Sequence, residues 1–409
     1  MERTIKNTAV LEICSSSVKF AVGYSEGRVP HVLYYKKFPL SGFVKDGQIP
    51  NPIALGEAIA PNLNIEDEDL KLKVDPTTIN FVVPPIGFQV FQNDKTTNVV
   101  RDTIEQLDIS NVTLMLKRDE VPNGSYLVDI VPDAFVTDKG KTFGNPPIGE
   151  RAEYLTLFAK IFTLPEQIFS SYVQAAQSAG LRVLRSSVAT QCAAMMVASE
   201  GGYPSTYFYL DLGAHLTTVS LIGNNSPYAS LFFPLGGDDL TNKIAQAFEI
   251  ALEDAEMLKK KFGYDERTFA YPTPIYKKEI DGVKKTISQN QLNTVITEFF
   301  TSYNAYIKNA ITTLIDNQAK AQNMADKTPF ASLPLVVSGG TSLLKGLEKL
   351  LDDLGGRKLH KFSPKTLGAR DPGATNILGL IVASGEYRGT LEDNYHGISS
   401  LTRGSKKED

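Results

Sequence analysis

Apolar and polar positions follow one and the same pattern in two distant segments of the chain. Residues 9–23 read AVLEICSSSVKFAVG and residues 209–223 read YLDLGAHLTTVSLIG. Each runs through apolar residues to an acid, one further apolar residue and a turn of small residues. Alternating Val, Phe, Ala, Ser and Leu then lead to a glycine. The pattern predicts a strand, a tight turn and a return strand in both places. Glu12 and Asp211 occupy the same point of the two segments, 199 positions apart in a chain of 409 residues. A repeat at about half the length predicts two similar halves.

The pattern between the repeats predicts further elements. A strand is expected over Val29–Phe38 and a helix over Asn51–Ala60. Thr78–Phe91 alternates, with Pro84-Pro85 as a break. Strands are expected at Thr113–Leu116, Tyr126–Val131 and Tyr154–Phe162, with a short helix near Asn98–Gln106. This mixture over 80–162 reads as a small α+β insertion. Pro165–Ala179 has helical spacing and ends at Gly180. Long helices are expected over Leu240–Lys261 and Gln291–Ala325, with a loop or hairpin between them at Tyr271–Ile287. Leu333–Val337 predicts a buried strand, Leu343–Leu354 a helix, and Gly373–Gly385 a closing strand and helix.

Composition narrows the class. The hydrophobic share is 42% and the charged share 22%, ordinary for a globular chain long enough for several domains. Net charge is -4 with no basic stripe, which argues against a nucleic-acid partner. Two cysteines, Cys14 and Cys192, sit far apart and predict a reducing compartment. Neither they nor the four histidines show zinc spacing. The first ten residues lack a signal-peptide core, and no stretch has the roughly 18 apolar residues of a membrane span. A cytoplasmic protein with a disordered tail over 391–409 is the expectation.

Four places carry candidate chemistry. Ser338-Gly339-Gly340-Thr341 ends an apolar strand just before a helix, where glycines let a ligand approach backbone. In the second turn, Gly213, Ala214, His215 and Thr217 can aim amides at a phosphate, and Asp211 can hold hydrated magnesium. The first turn offers Cys14, Ser15, Ser16 and Ser17, with Glu12 as the matching acid. Glu256 and Lys259, three apart, share a helix face suited to ribose and base. Taken alone, Ser338–Thr341 fits an ordinary strand-to-helix turn better and Glu256–Lys259 a solvated helix face, while the Asp211 turn is equally compatible with a plain hairpin. Their joint order resembles the nucleotide-clamp plan of the actin, Hsp70 and sugar-kinase superfamily, which implies two related halves that close on ATP.

That order, with Gly42–Ile49, Ile130–Asp138, Asn145–Gly149, Ala176–Val183, Gly236–Thr241, Ala255–Lys259, Val336–Gly340 and Ala374–Leu380, resembles the bacterial actin-like family FtsA over about residues 8–390. The resemblance implies an α/β fold of duplicated, actin-like ribonuclease-H-like halves with an FtsA-type inserted subdomain, 1C. It implies subdomain 1A over 1–79 and 163–205, 1C over 80–162, 2A over 206–240 and 331–390, and 2B over 241–330. It implies ATP with Mg2+ held through water by Glu12 and Asp211, and weak or absent ATPase activity. No catalytic residue is assigned. It further implies head-to-tail protofilaments, the tubulin-like protein FtsZ bound by its C-terminal tail to 2B, and downstream division proteins on 1C. The site of action would be the inner face of the cell membrane, reached through a C-terminal helix missing here or through a partner.

The chain departs from the family at Glu12 (usually Asp), Cys14 (Gly) and Ser17 (Lys). It departs again at Ala214-His215-Leu216 (Gly-Gly-Thr) and at Thr218 (often an acid). Two alternatives stay open: a PilM-like adaptor of pilus assembly that binds a membrane-protein peptide, and a phosphotransferase of the same fold.

Overall fold

The computed structural model describes residues 7–45, 47–67, 72–74, 76–268, 274–280, 282–351 and 354–386. The expected tail at 391–409 lies outside them. The first half opens with strands β1 (Thr8–Ile13), β2 (Ser17–Glu26) and β3 (Val29–Pro39). Helix α1 (Pro52–Ile59) follows, its first turn capped by the Asn51 side chain, which accepts from the Ala54 amide. A small pair, β4 (Ile65–Asp67) and β5 (Leu72–Val74), leads to β6 (Thr78–Val83). Pro84 and Pro85 end β6, as a proline pair must in a central strand.

The insertion is β7 (Gln89–Asn98), helix α2 (Gln106–Glu120), β8 (Ser125–Thr137), β9 (Thr142–Phe143) and β10 (Tyr154–Pro165). Its sheet runs β7-β10-β8-β9 and is covered by α2. The chain returns through helix α3 (Glu166–Ser178), strand β11 (Arg182–Val188) and helix α4 (Ala189–Glu200). The first sheet is therefore β3-β2-β1-β6-β11, with β6 parallel to both β1 and β11.

The second half repeats this order. Strands β12 (Thr206–Leu212), β13 (Thr217–Gly223) and β14 (Ser226–Phe233) form the antiparallel run. Helices α5 (Gly237–Phe248) and α6 (Leu252–Lys261) precede a hairpin of β15 (Pro274–Ile280) and β16 (Val283–Ser288). Helix α7 (Gln289–Ala321) buries Leu292, Ile296, Phe300, Tyr303, Ile307, Ile311 and Leu314, a stripe at helical spacing. A single-turn helix α8 (Thr328–Ala331) leads to β17 (Leu335–Ser338). Helix α9 (Leu347–Leu350), strand β18 (Leu359–Lys361) and helix α10 (Thr375–Glu386) finish the half. The sheet order β14-β13-β12-β17-β18 is that of the first half.

Each half keeps its own core, and a third core joins them. It takes Val10, Ala21 and Val82 from the first sheet and Tyr207, Tyr209, Ile222 and Val336 from the second. Helices α4 and α10 lie between.

Several boundaries differ from the sequence expectation. Asn80 to Val83 belong to the main sheet rather than to the insertion, because β6 pairs with β1 and β11. The insertion's one helix is not at Asn98–Gln106, and Thr113–Leu116 is not a strand. Glu105 and Asp108 form a reciprocal cap that starts α2, whose Ile109, Val112 and Leu116 pack on the sheet. The β-branched Val112 and Thr113 are accepted in the helix because tertiary packing outweighs propensity. Leu240–Lys261 is two helices, not one. Glu249 adopts a left-handed conformation (φ 51°), and the following Ile250 is buried. The closing strand lies at β18, before Gly373, and the helix expected over Leu343–Leu354 shrinks to α9, since Gly346 turns the chain at φ 77°.

Candidate functional site

The two hairpin turns meet under one helix. In the first, the Cys14 amide donates to the Ser17 carbonyl at 2.9 Å, leaving Ser15 and Ser16 at the tip. In the second, the Gly213 amide donates to Leu216 at 3.0 Å. The turns thus share one hydrogen-bond pattern. The register pairs Glu12 with Lys19 in one hairpin and Asp211 with Thr218 in the other.

Between these turns lies a polar centre. Lys19 Nζ donates to Glu12 Oε2 at 2.8 Å, with both side chains under a tenth exposed. Asn376, at the start of α10, donates from its single amide nitrogen to Glu12 Oε1 at 2.9 Å and to Asp211 Oδ2 at 3.3 Å. Its Oδ1 is buried and has no hydrogen-bond partner among the described residues. Burial, chiefly, pushes the Asp211 carboxyl up, and nearby Glu12 adds to this while Lys19 and Asn376 pull it back. Burial opposes the Lys19 charge, yet Cys14 and Glu12 outweigh it and hold the ammonium well above the usual lysine range. Burial and then Glu12 push the Cys14 thiol up to about 12, so it is no nucleophile near neutrality.

A second group forms the wall beside this centre. Thr341 donates from Oγ1 to the Gly213 carbonyl at 2.8 Å, and the Gly237 amide donates to the same carbonyl at 3.0 Å. Lys259, buried, donates to the Gly237 carbonyl at 2.8 Å and to Thr241 Oγ1 at 2.7 Å. It also lies 2.6 Å from Glu256. Burial raises the Glu256 carboxyl, but Lys259, Thr241 and Lys260 together bring it below the usual range. Gly339 joins wall and centre. It sits at φ 89°, and a β-carbon there would lie 2.4 Å from Asp211 Oδ1. At Gly340 a β-carbon would meet nothing within 4 Å, and its φ is not positive. Neither packing nor backbone conformation asks for glycine there.

Most of the residues singled out from sequence lie in these two groups: Glu12, Cys14, Asp211, Gly213, Glu256, Lys259, Gly339, Gly340 and Thr341, while Ser15 and Ser16 stand at the tip of the first turn. Ser17 is buried at the start of β2. Ala214 offers its carbonyl to the Asp238 amide at 2.9 Å, and His215 pairs with Asp238 at 3.1 Å on the surface. Thr217 turns away. It is fully buried, and its hydroxyl is shared between the Leu235 carbonyl and the Tyr303 hydroxyl. As a phosphate contact it is corrected to a core residue. Leu216 crosses the cleft and packs against the core of the first half.

Sequence reading missed Lys19 and Asn376. Lys19 stands seven positions after Glu12, and a two-residue tip puts those positions opposite each other. Nothing local marks Asn376.

These residues suit a nucleotide better than magnesium. Gly340 leaves room against backbone beside Thr341, and Lys259 and Glu256 stand in the same wall, paired to each other. Magnesium, which takes one or two carboxylates and keeps its waters, does not fit the polar centre as built. Both Glu12 oxygens accept hydrogen bonds from the protein, and Lys19 already supplies a cation. Among the described residues no group of three or more His, Cys, Asp or Glu gathers as a metal site.

Comparisons with known proteins agree with this architecture. Residues 208–379 match the family model described as "Cell division protein FtsA". The chain is similar to Cell division protein FtsA of Streptococcus pneumoniae, 25% identical over 402 residues, which is 97% of this chain and 82% of that protein. Among solved structures, a chain of a PilM-PilN type IV pilus biogenesis complex superposes with a TM-score of 0.57 at 18% identity. The match covers 94% of this chain and 99% of that one. MreB5 of Spiroplasma citri bound to AMPPNP gives 0.53 at 11% identity, over 96% and 98%. The structural matches show the shared actin-like fold.

Proposed function

We propose that this chain, a divergent relative of the cell-division protein FtsA, binds ATP between its two halves and acts as a scaffold of the division machinery. The observation that carries the nucleotide part is Gly340, whose missing β-carbon faces open space beside Thr341 and the Lys259–Glu256 pair and so leaves room for a ligand against backbone. Ser15 and Ser16, at the tip of the first turn, are the hydroxyls offered to phosphate. Lys259 and Glu256 clasp the ribose side.

The nucleotide acts as a conformational ligand. It bridges two halves that already meet through α4, α10, Leu216, Asn376 and the Lys160–Tyr228 contact, and so biases how far they close. Among the described residues the acids at the turns are not free bases able to orient water: Glu12 is tied to Lys19 and Asn376, and Asp211 to Asn376. Hydrolysis is therefore weak or absent.

By its likeness to FtsA, the chain assembles head-to-tail into protofilaments. The smaller part of the second half, from α5 to α8, takes the tail of FtsZ. The insertion, taken by its sheet as residues 89–165, meets downstream division proteins. It works at the inner face of the membrane, and among the described residues no helix is long and apolar enough to cross one.

Calorimetry of the full chain with ATP tests this, followed by electron microscopy of the nucleotide-bound protein. Low-micromolar binding, roughly -8 kcal/mol, is expected, and Gly340→Val should weaken it at least about tenfold without lowering the melting temperature. Absence of binding in the unaltered chain would sink the nucleotide reading. Binding without filaments would move the reading towards an adaptor of the PilM kind.

A further inference from the structure

Two acids from opposite halves converge under the cleft, and something must offset their charge. Like charges a few ångströms apart in a buried site repel strongly. A dication is one remedy. This chain contains another: Lys19, whose Nζ lies 2.8 Å from Glu12 and whose side chain is 8% exposed. The register shows that this cation is built into one half only. Lys19 faces Glu12 across the first hairpin, while the equivalent partner of Asp211 is the neutral Thr218.

The remaining carboxylate oxygens also face protein. Glu12 Oε1 and Asp211 Oδ2 both accept from Asn376, and Asp211 Oδ1 lies against the backbone of Gly339. A hydrated divalent ion needs carboxylate oxygens turned towards its water shell. Here the amide of Asn376 stands between the two acids. Unlike a metal, it cannot be released into solvent.

We propose that the cleft takes its nucleoside triphosphate without a divalent cation, because Lys19 and Asn376 already hold the carboxylate oxygens that would have to orient a hydrated metal. The inference rests on the nucleotide reading above and adds the ionic form of the ligand, the free polyanion. Its consequence is functional. With no Lewis acid on the phosphates, the bound nucleotide is held rather than cleaved, and occupancy follows total nucleotide rather than magnesium.

The test is a titration of the full chain with ATP, read by calorimetry, once in excess MgCl2 and once in EDTA. Ionic strength is matched with KCl so that screening does not imitate a metal effect. Dissociation constants within about threefold of each other are expected. Binding in magnesium that weakens at least about tenfold in EDTA overturns the inference and leaves the nucleotide reading standing. No binding in either buffer overturns that reading, and the inference with it.

The same pair of titrations on Lys19→Met gives an independent check, with melting curves to confirm that the variant folds. Losing the internal cation should create a magnesium requirement, with binding in EDTA falling at least about tenfold relative to binding in MgCl2. A folded Lys19→Met that binds equally in both buffers counts against the proposal. If the variant does not fold, the comparison on the unaltered chain decides alone.

Discussion

Gly379 of α10 lies so close to the carbonyl oxygen of Cys192 in α4 that an ideal β-carbon at position 379 would sit 1.8 Å from it. The obstacle is backbone, so it cannot swing aside. These two helices fill the core shared by both halves, and Asn376 stands one turn before Gly379 on the same helix. Gly379→Ala must therefore push α10 from α4. We expect a loss of about 1–3 kcal/mol in urea denaturation, and weaker nucleotide binding because Asn376 moves off Glu12 and Asp211. A variant as stable as the parent would show that the crossing relaxes freely.

Lys160 of β10 is fully buried where the insertion meets the second half. Its ammonium lies 4.0 Å from the ring centre of Tyr228 on β14 and 3.0 Å from Asp133 Oδ1, though off the line of a good hydrogen bond. The two partners should respond unequally to mutation. Asp133→Ala leaves a buried cation short of its counter-charge and should cost about 1–3 kcal/mol. Lys160→Met keeps the volume, removes the charge and should change stability by less than about 1 kcal/mol. Chemical denaturation of both variants checks this; equal losses would refute the account.

Asp129 of β8 is 3% exposed, and one of its oxygens has no hydrogen-bond partner among the described residues. Burial pushes its carboxyl up to about 6, although Arg185 and the Ile130 amide pull it back. Its folded-state value thus lies above the unfolded one, so the folded chain holds this proton more tightly. Stability should fall as pH rises from about 4 to 6, by at most about 3 kcal/mol from this group. Asp129→Asn should flatten that part of the profile and stabilise the chain at pH 7. Melting temperatures of both proteins from pH 4 to 8 give the comparison, and parallel profiles would exclude Asp129 as the cause.

The Cys14 thiol, pushed up to about 12, is almost wholly protonated at pH 8. A free cysteine at that pH is a substantial fraction thiolate. Alkylation of Cys14 by iodoacetamide should run at least about 100-fold slower than that of free cysteine, read by mass spectrometry of the labelled peptide. Lys19→Met removes a cation that favours the thiolate and should slow it further. Fast labelling would mean that the first turn opens in solution.

Much of the fold was legible because its signals are local. The alternation around Glu12 and Asp211 predicted both hairpins, and their spacing predicted the duplication that the two identical sheet orders show. The same holds for α3, where Ile168, Tyr172 and Ala175 mark one face. The strand expected over Thr113–Leu116 falls inside α2, because Thr113 and its apolar neighbours look like strand residues until the sheet beneath them is known. At the site, the Gly339-Gly340 junction and the Glu256–Lys259 pair were visible as short motifs. Thr217 was misassigned because the direction of a hydroxyl depends on what lies over it, here Tyr303 from a helix 86 positions away.

The sequence by itself determined the hairpins, the halves and the kinds of residue at their turns, since alternation, turn chemistry and helical spacing act between near neighbours. Only the tertiary structure decided how the charge of the cleft is settled. Glu12, Lys19, Asp211 and Asn376 come from three distant stretches of chain. Which carboxylate a buried ammonium or amide satisfies is set by distances of a few ångströms in a site shielded from water, and those distances exist only once α10 has packed between the two sheets.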